Sequence, residues 1–519
     1  MSKEKLTPSA LSDRLWEMSK ALRGNLDGNE FKDYILGLLF YRFLSDKSIQ
    51  TAKKMFPEQE NSSYAELFLV DKDFMKESIV EKLGCVVYPE WTFESMMEKV
   101  KDETFTTEDL QLAFDSIIET SKENASAAAA YNGLLSGTVN LNSSRLGRDV
   151  KSRSRIIADI LKEINKIYSD YETTDFDILG TAYEILIGLY AASAGKKGGE
   201  FYTPDCMQKL VCKIASNGFD AVENACDPTC GSASMLIKLK QFVKVRHLYG
   251  TESISVTEQL ARMNMILHGI DFDSFSIRNG DTLETPDLAS HEEYQIIVAN
   301  PPYSQKWDRS KAMEDPRFAP YGKLAPEKKA DFAFIQHIVY HLADNGQAAI
   351  LLPHGVLFRG NDEKVIREKM LRDNLIDAII GLPKNCFYGT SIPVCCIVLK
   401  KNRKENDMIC FIDASKYFTK NGKKNSITDE DIDRIMNAYK GKTDIDKFCH
   451  MVDIKEIEEN DFNLNIPRYV DTYEPEPEID LNAVIAEIRK TDNEIKKLNK
   501  ILKKDFDALG LEYPFEVEE

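Results

Sequence analysis

Four polar side chains recur at the same kind of position. Asp227 follows the strand-like run Val222–Cys226, and Glu252 closes the run begun by His247–Thr251. Asp281 follows Ser276–Asn279, and Asn300 follows Tyr294–Ala299. Each run is short, as a strand in an alternating strand–helix pattern is, and Tyr294–Ala299 is the most apolar of them. Open α/β sheets bind ligands outside the carboxyl ends of their strands. One acid at a strand end is usually a helix cap; four polar groups in register point to a ligand pocket. Glu252 stands 25 residues after Asp227, close to the spacing of about 20 at which doubly wound folds set an acid on ribose hydroxyls.

Two loops complete that edge. In Asp227-Pro228-Thr229-Cys230-Gly231-Ser232-Ala233-Ser234, the glycine lets the backbone approach a ligand and the small residues keep a helix start open. The chain has neither a GxGxxG fingerprint nor a Walker A loop, so a pyrophosphate site is only weakly supported. The second loop ends the run Ile296-Ile297-Val298-Ala299-Asn300-Pro301-Pro302-Tyr303. Prolines donate no backbone hydrogen bond, so the strand must stop there. The turn presents the Asn300 amide, the proline carbonyls and the Tyr303 ring; its bland reading is a strand end with a buried tyrosine. Upstream, Glu200-Phe201-Tyr202-Thr203-Pro204-Asp205 follows a glycine-rich break. Thr203 can cap a helix with Pro204 and Asp205 in its first turn. The segment is either such a cap with two buried aromatics or a lid laying aromatics on a flat ligand, and the residues alone leave both open.

The elements that carry these groups follow from periodicity. Residues 10–170 read as helical, with Phe31, Tyr34, Ile35, Leu38 and Leu39 at helical spacing and Thr107 as the cap of a helix over Leu110–Glu119. From about 220 to 400, strands and helices alternate, which predicts a doubly wound sheet with helices on both faces. Pro393–Leu399 is expected to pair with Met408–Ile412 as a terminal hairpin. Pro475 and Pro477 mark a stiff linker. Beyond it, Leu481, Ile488, Ile495, Leu502 and Leu509 recur every seven residues, a short coiled-coil seam that needs a partner helix from this chain or another.

Composition bounds the rest. With 519 residues, two or three domains are expected. A net charge of −18 argues against a broad grip on nucleic acid. One stretch departs from it: Arg145, Arg148, Lys151, Arg153 and Arg155 interleave with serines. This is either a solvated helix start or a local phosphate contact. No apolar run approaches the roughly 18 residues that span a bilayer, and no signal-peptide core follows Met1, so a cytoplasmic protein without a membrane contact is expected. The ten cysteines form no CxxC pair and read as core thiols, and no metal site is expected.

Together these motifs resemble the S-adenosylmethionine-dependent amino-methyltransferases. Gly199-Glu200-Phe201-Tyr202-Thr203-Pro204, Asp227-Pro228-Thr229-Cys230-Gly231-Ser232, Met263-Asn264-Met265-Ile266-Leu267-His268-Gly269 and Asn300-Pro301-Pro302-Tyr303 occur in this order. The combination is similar to the modification subunit of type I restriction–modification systems, over nearly the whole chain. The resemblance implies a helical N-terminal domain over 1–170, a methyltransferase catalytic domain over 171–470, and a linker and assembly helix over 471–519. It implies that Glu200, Phe201, Tyr202, Thr203, Pro204 and Asp205, with Ser232, Ala233 and Ser234, line S-adenosylmethionine. Asp227 and Gly231 would shape its loop, Glu252 would hold its ribose and Asp281 would meet its adenine. Ala233 is a departure, because many relatives carry a second glycine there.

For the turn, the resemblance implies transfer of a methyl group to the N6 amino group of adenine. That nitrogen is a poor nucleophile because its lone pair is delocalised. The Asn300 side-chain oxygen and the Pro301 carbonyl, aimed at its hydrogens, would favour attack, with Pro302 completing the turn. The base must leave the duplex first, and Tyr303 would stack on it. The implied partners are double-stranded DNA, a specificity subunit bound by two modification subunits, and a restriction subunit in the full complex. Alternatives are an NPPY enzyme acting on an RNA base or a protein glutamine, and a non-catalytic scaffold exploiting the acidic surface.

Overall fold

Nine strands, most of them buried and rich in β-branched and aliphatic residues, build one sheet. A computed structural model describes residues 4–5, 11–15, 30–59, 61–169, 171–172, 178–193, 202–284, 292–310, 312–387, 390–405, 407–422, 424–473 and 480–514. The strands are β1 (Ala221–Asp227), β2 (Lys244–Glu252), β3 (Phe275–Asn279), β4 (Tyr294–Ala299), β5 (Leu342–Pro353), β6 (Ile376–Gly381), β7 (Val394–Lys400), β8 (Ile409–Asp413) and β9 (Cys449–Val452). Their order is β9-β8-β6-β7-β5-β4-β1-β2-β3. From β1 the chain winds outward to β2 and β3, then returns to β4 on the other flank of β1. The topological switch point therefore lies between β1 and β4, where Ala225 pairs with Ile296 and Cys226 with Ile297 in parallel. A ligand crevice is expected there, and Asp227 and Asn300 are the residues at its two lips.

The expected hairpin of Pro393–Leu399 with Met408–Ile412 does not form. β7 runs antiparallel between β5 and β6, while β8 pairs in parallel with the far edge of β6. Val394–Leu399 are all buried, so this strand needs a partner on each edge and cover on both faces.

Both faces of the sheet are covered. Ala225, Ile296, Val298, Ala349, Leu351, Val394, Cys396 and Val398 face one core. That core runs through α10 (Asp205–Ala215) and α12 (Ser255–Leu267) into the N-terminal helix α1 (Glu30–Met55). Cys226, Ile297, Ala299, Ile350, Leu352, Cys395 and Ile397 face the other, covered by α13 (Asp331–His341) and α14 (Asn361–Arg372). All ten cysteines are free and nine are buried, in keeping with core thiols.

The N-terminal region is helical. Thr106, one residue before the expected cap, starts α5 (Thr107–Ser121): the Asp109 N–H donates to its hydroxyl and the Asp109 carboxylate accepts from its N–H. The basic stretch enters α8 (Val150–Ser169) beside a cleft of about 1320 Å³ whose walls mix Arg145, Lys151 and Arg155 with Glu103, Asp149 and Asp159. Contacts divide the chain into two compact units, Met1–Asp471 and Thr472–Glu519. The second carries α17 (Leu481–Ala508), with its seven-residue seam exposed. Among the described residues no helix is long and apolar enough to cross a membrane.

Candidate active site

Neighbouring loops at the carboxyl edge are stitched together through their backbones. The Cys230 N–H donates to the Thr251 carbonyl at 2.9 Å, and the Gly280 N–H donates to the Glu252 carbonyl at 3.0 Å. The Thr282 hydroxyl donates to the Pro228 carbonyl. Gly250 is required beneath this lacing: a Cβ there would lie 2.9 Å from the Cys230 sulfur and 2.7 Å from Ile277. The stitches bring the ends of β1, β2 and β3 around one cleft.

That cleft has two compartments. The larger, about 90 Å³, is lined by Pro228, Thr229, Glu252, Ile254, Asp281, Thr282, Asn300, Pro302, Gln305 and Phe334, among others. The smaller, about 20 Å³, is lined by Tyr202, Thr203, Gln208, Asp227, Gly231, Ser232, Ser234 and Asn300, among others. Thr229 and Asn300 belong to both, so the compartments meet at the Asn300 amide.

Asp227 is wholly buried. Its Oδ1 accepts from the Thr229 N–H at 3.0 Å, while its Oδ2 has no hydrogen-bond partner among the described residues. Burial pushes its carboxyl up to about 7, against the Thr229 hydrogen bonds and with help from the nearby Glu252 charge. Burial also raises Glu252, although its Oε1 accepts from the Ile254 N–H at 2.8 Å. Asp281 is held in an Asx turn in which the Leu283 N–H donates to its Oδ1 at 2.9 Å.

At the turn, Asn300 Nδ2 donates to the Thr203 hydroxyl at 2.9 Å and Asn300 Oδ1 accepts from the Tyr303 hydroxyl at 2.8 Å. Thr203 therefore does not cap α10. The helix begins at Asp205 with Pro204 in the cap position and no side-chain cap, because the hydroxyl is committed to Asn300, 97 residues away. Gln208 Nε2 holds the Thr203 carbonyl at 2.5 Å. The Tyr303 ring meets Phe387 edge-on at 6.3 Å, and burial raises its phenol. Ser304 follows at a positive φ of 54°, its N–H fixed by the buried Asp331 at 2.8 Å.

The named candidates separate into three groups. Tyr202, Thr203, Asp227, Gly231, Ser232, Ser234, Glu252, Asp281, Asn300 and Pro302 line one or both compartments, and Tyr303 joins them through Asn300. Pro204, Asp205, Ala233 and Pro301 do not line them; Asp205 instead pairs with Lys238 at 2.7 Å, and Ala233 caps α11 (Ser234–Leu239) in the left-handed region at φ 59°. Glu200 and Phe201 lie outside the described residues.

The sequence reading missed Ile254 and Gln208, and it gave Asn264 no role beyond its place in a motif. Ile254 is an exposed apolar residue on the cleft wall, two positions past Glu252, which is the signal that could have found it. Asn264 is fully buried, and its Nδ2 donates to the Ser232 carbonyl at 2.9 Å, tying the Asp227–Ser234 loop to α12.

Comparison with known proteins follows this geometry. The family model for N-6 DNA methylases matches residues 174–478, and that for the HsdM N-terminal domain matches 11–164. The chain is 34% identical to the methylase subunit of the type I restriction enzyme MpnII from Mycoplasma pneumoniae, covering 97% of this chain and 98% of that one. It is 31% identical to the MjaVIII methylase subunit from Methanocaldococcus jannaschii, covering 96% and 84% respectively. A crystal structure of the type I restriction–modification methyltransferase subunit from Streptococcus thermophilus is 40% identical, with a TM-score of 0.81 over 90% of this chain and 100% of that one. The chain thus belongs to the N-6 DNA methylase family, among the DNA-methyltransferase subunits of type I restriction–modification systems.

Proposed function

We propose that the chain transfers a methyl group from S-adenosylmethionine to the N6 amino group of an adenine flipped out of double-stranded DNA, at sites chosen by a separate specificity subunit. The observation that carries this reading is the Asn300 amide at the junction of the two compartments. Held by two hydroxyls, it is pre-set, and preorganised acceptors need no reorganisation during reaction.

The residues present fit the cofactor. The larger compartment offers carboxylates at Glu252 and Asp281 and an apolar face at Ile254, suited to a ribose and an adenine. The smaller one ends on Asp227, whose buried, unpartnered oxygen matches the cationic amino-acid end. Bound there, S-adenosylmethionine supplies an activated methyl group.

The chain's own residues do the rest. The Asn300 carbonyl oxygen has two acceptor sites. Tyr303 takes one of them, leaving the other for an N6 hydrogen. The second N6 hydrogen is left to the Pro301 carbonyl, which sits between the lining residues Asn300 and Pro302 although Pro301 itself lines neither compartment. Both acceptors favour the charge that develops as the nitrogen attacks. Tyr303 presents a ring for the flipped base, and contact between nitrogen and methyl supplies much of the remaining acceleration. We assign residues 1–170 to a helical docking domain, 171–470 to the catalytic domain and 471–519 to assembly. In that assembly two such chains bind one specificity subunit, a restriction subunit joins the full complex, and methylation protects host DNA. Two relatives are named as methylase subunits of type I restriction enzymes, which supports membership of a multi-subunit complex.

The test is transfer of labelled methyl groups from S-adenosylmethionine to duplex DNA by the chain co-purified with its specificity subunit. Asn300→Ala is expected to lower the rate by about 100-fold or more. Transfer to protein or RNA but not DNA, or an unimpaired variant, would contradict the reading.

A further inference from the structure

Arg317 lines neither compartment, yet all five N–H groups of its fork are engaged, and it is 2% exposed. Nε donates to both Asp315 oxygens at 3.0 Å. Nη2 donates to Asp315 Oδ2 at 2.6 Å and to the Leu283 carbonyl at 3.0 Å. Nη1 donates to the Thr282 carbonyl at 2.7 Å and to His337 Nδ1 at 3.0 Å. His337 therefore accepts at Nδ1 and is neutral, as its burial also requires.

The two gripped carbonyls belong to the residues that aim Asp281. The Leu283 N–H holds the Asp281 carboxylate, and the Thr282 hydroxyl holds the Pro228 carbonyl. Arg317 thus clamps the carbonyl side of the peptide units whose donor side shapes the cleft. It reaches them from the segment that leaves the Asn300 turn, itself folded back where the Ala330 N–H donates to the Gln305 carbonyl at 2.9 Å and the Trp307 N–H to that of Glu327 at 3.0 Å.

We infer that Arg317 is a positioning residue for cofactor recognition: it fixes the Thr282–Leu283 backbone so that Asp281 reads the exocyclic amine of the cofactor's adenine, tying that end of the cleft to the segment leaving the Asn300 turn. The inference rests on the reading that this adenine lies against Asp281. A lysine cannot replace Arg317, because its three donors share one nitrogen and span neither both carbonyls nor the carboxylate fork.

The test is calorimetric binding of S-adenosylhomocysteine and S-inosylhomocysteine, which lacks the exocyclic amine, to the full-length chain. The native protein is expected to prefer the adenosyl compound by on the order of 10- to 100-fold, the size of a hydrogen bond to a charged group. In Arg317→Lys that preference should collapse to within about threefold, because loss of aim removes the amine contact. Asp315→Asn, which leaves the guanidinium in place but weakens its anchor, should lose part of the preference and serves if the lysine variant does not fold. A purely structural role would weaken both ligands equally, so an unchanged ratio in the variants overturns the inference. A native protein that binds both equally overturns the assignment of Asp281 itself.

Discussion

In the proposed reading the cationic end of the cofactor meets Asp227, a carboxylate buried at the end of a central strand with one oxygen unpartnered among the described residues. Its pKa is raised to about 7, chiefly by burial, above the free-carboxyl value of about 3.9. The folded, ligand-free chain therefore binds a proton that the unfolded chain releases, so this contribution to stability is full at low pH and is lost as pH rises through 7. A cationic ligand demands the opposite state. Affinity for S-adenosylmethionine should rise with pH up to about 7, by at most roughly tenfold per unit, and then level off. Asp227→Asn should bind more weakly at pH 8 and show no such dependence; a parallel profile measured by calorimetry would assign the pH response elsewhere. Asp227, Glu252, Asp281 and Asn300 were legible because each closes or follows a strand in an alternating strand–helix pattern. Asn264 and Arg317 were not, because they act through main-chain carbonyls 32 to 35 residues distant. Thr203 stayed open between a cap and a lid because what decides it is a partner 97 residues away.

At the scale of elements, α12 explains why Met263–Gly269 has the composition it has. Nearly every residue of the helix is buried, since it lies between the N-terminal helices and the sheet. Arg262 donates to the carbonyls of Ala129, Ala130 and Asn132 at the end of α6 (Ala125–Tyr131), and pairs with the equally buried Glu258 at 2.6 Å. Two residues on, Asn264 holds the loop of the smaller compartment. Arg262→Ala should destabilise the chain by about 3–5 kcal/mol, because it leaves Glu258 buried and unpaired. Thermal or denaturant unfolding measures this, and a loss below about 1 kcal/mol would mean that the helices dock by apolar contact alone. Strand runs announced the sheet, but their order was not fully readable. A run as apolar as Val394–Leu399 signals two neighbours without naming them, and β5 and β6 took both places.

For the whole molecule, the net charge of −18 fits a subunit that leaves sequence reading to another chain. The seam of α17 is the part most suited to assembly: Leu481, Ile488, Ile495, Leu502 and Leu509 are exposed along a helix with no buried residue. Its heptads were plain in the sequence, but a heptad states that a partner is needed and not which one. Truncation after Asp480 should spare S-adenosylmethionine binding and abolish co-purification with the specificity subunit; retained assembly would remove α17 from that role. The central claim concerns the base itself. Co-expression of this chain with its specificity subunit in cells lacking other adenine methylation, followed by mapping of modified bases in genomic DNA, should reveal N6-methyladenine at one recurrent sequence and none with Asn300→Ala. Absence of N6-methyladenine with the native chain, or its persistence in the variant, would contradict the account.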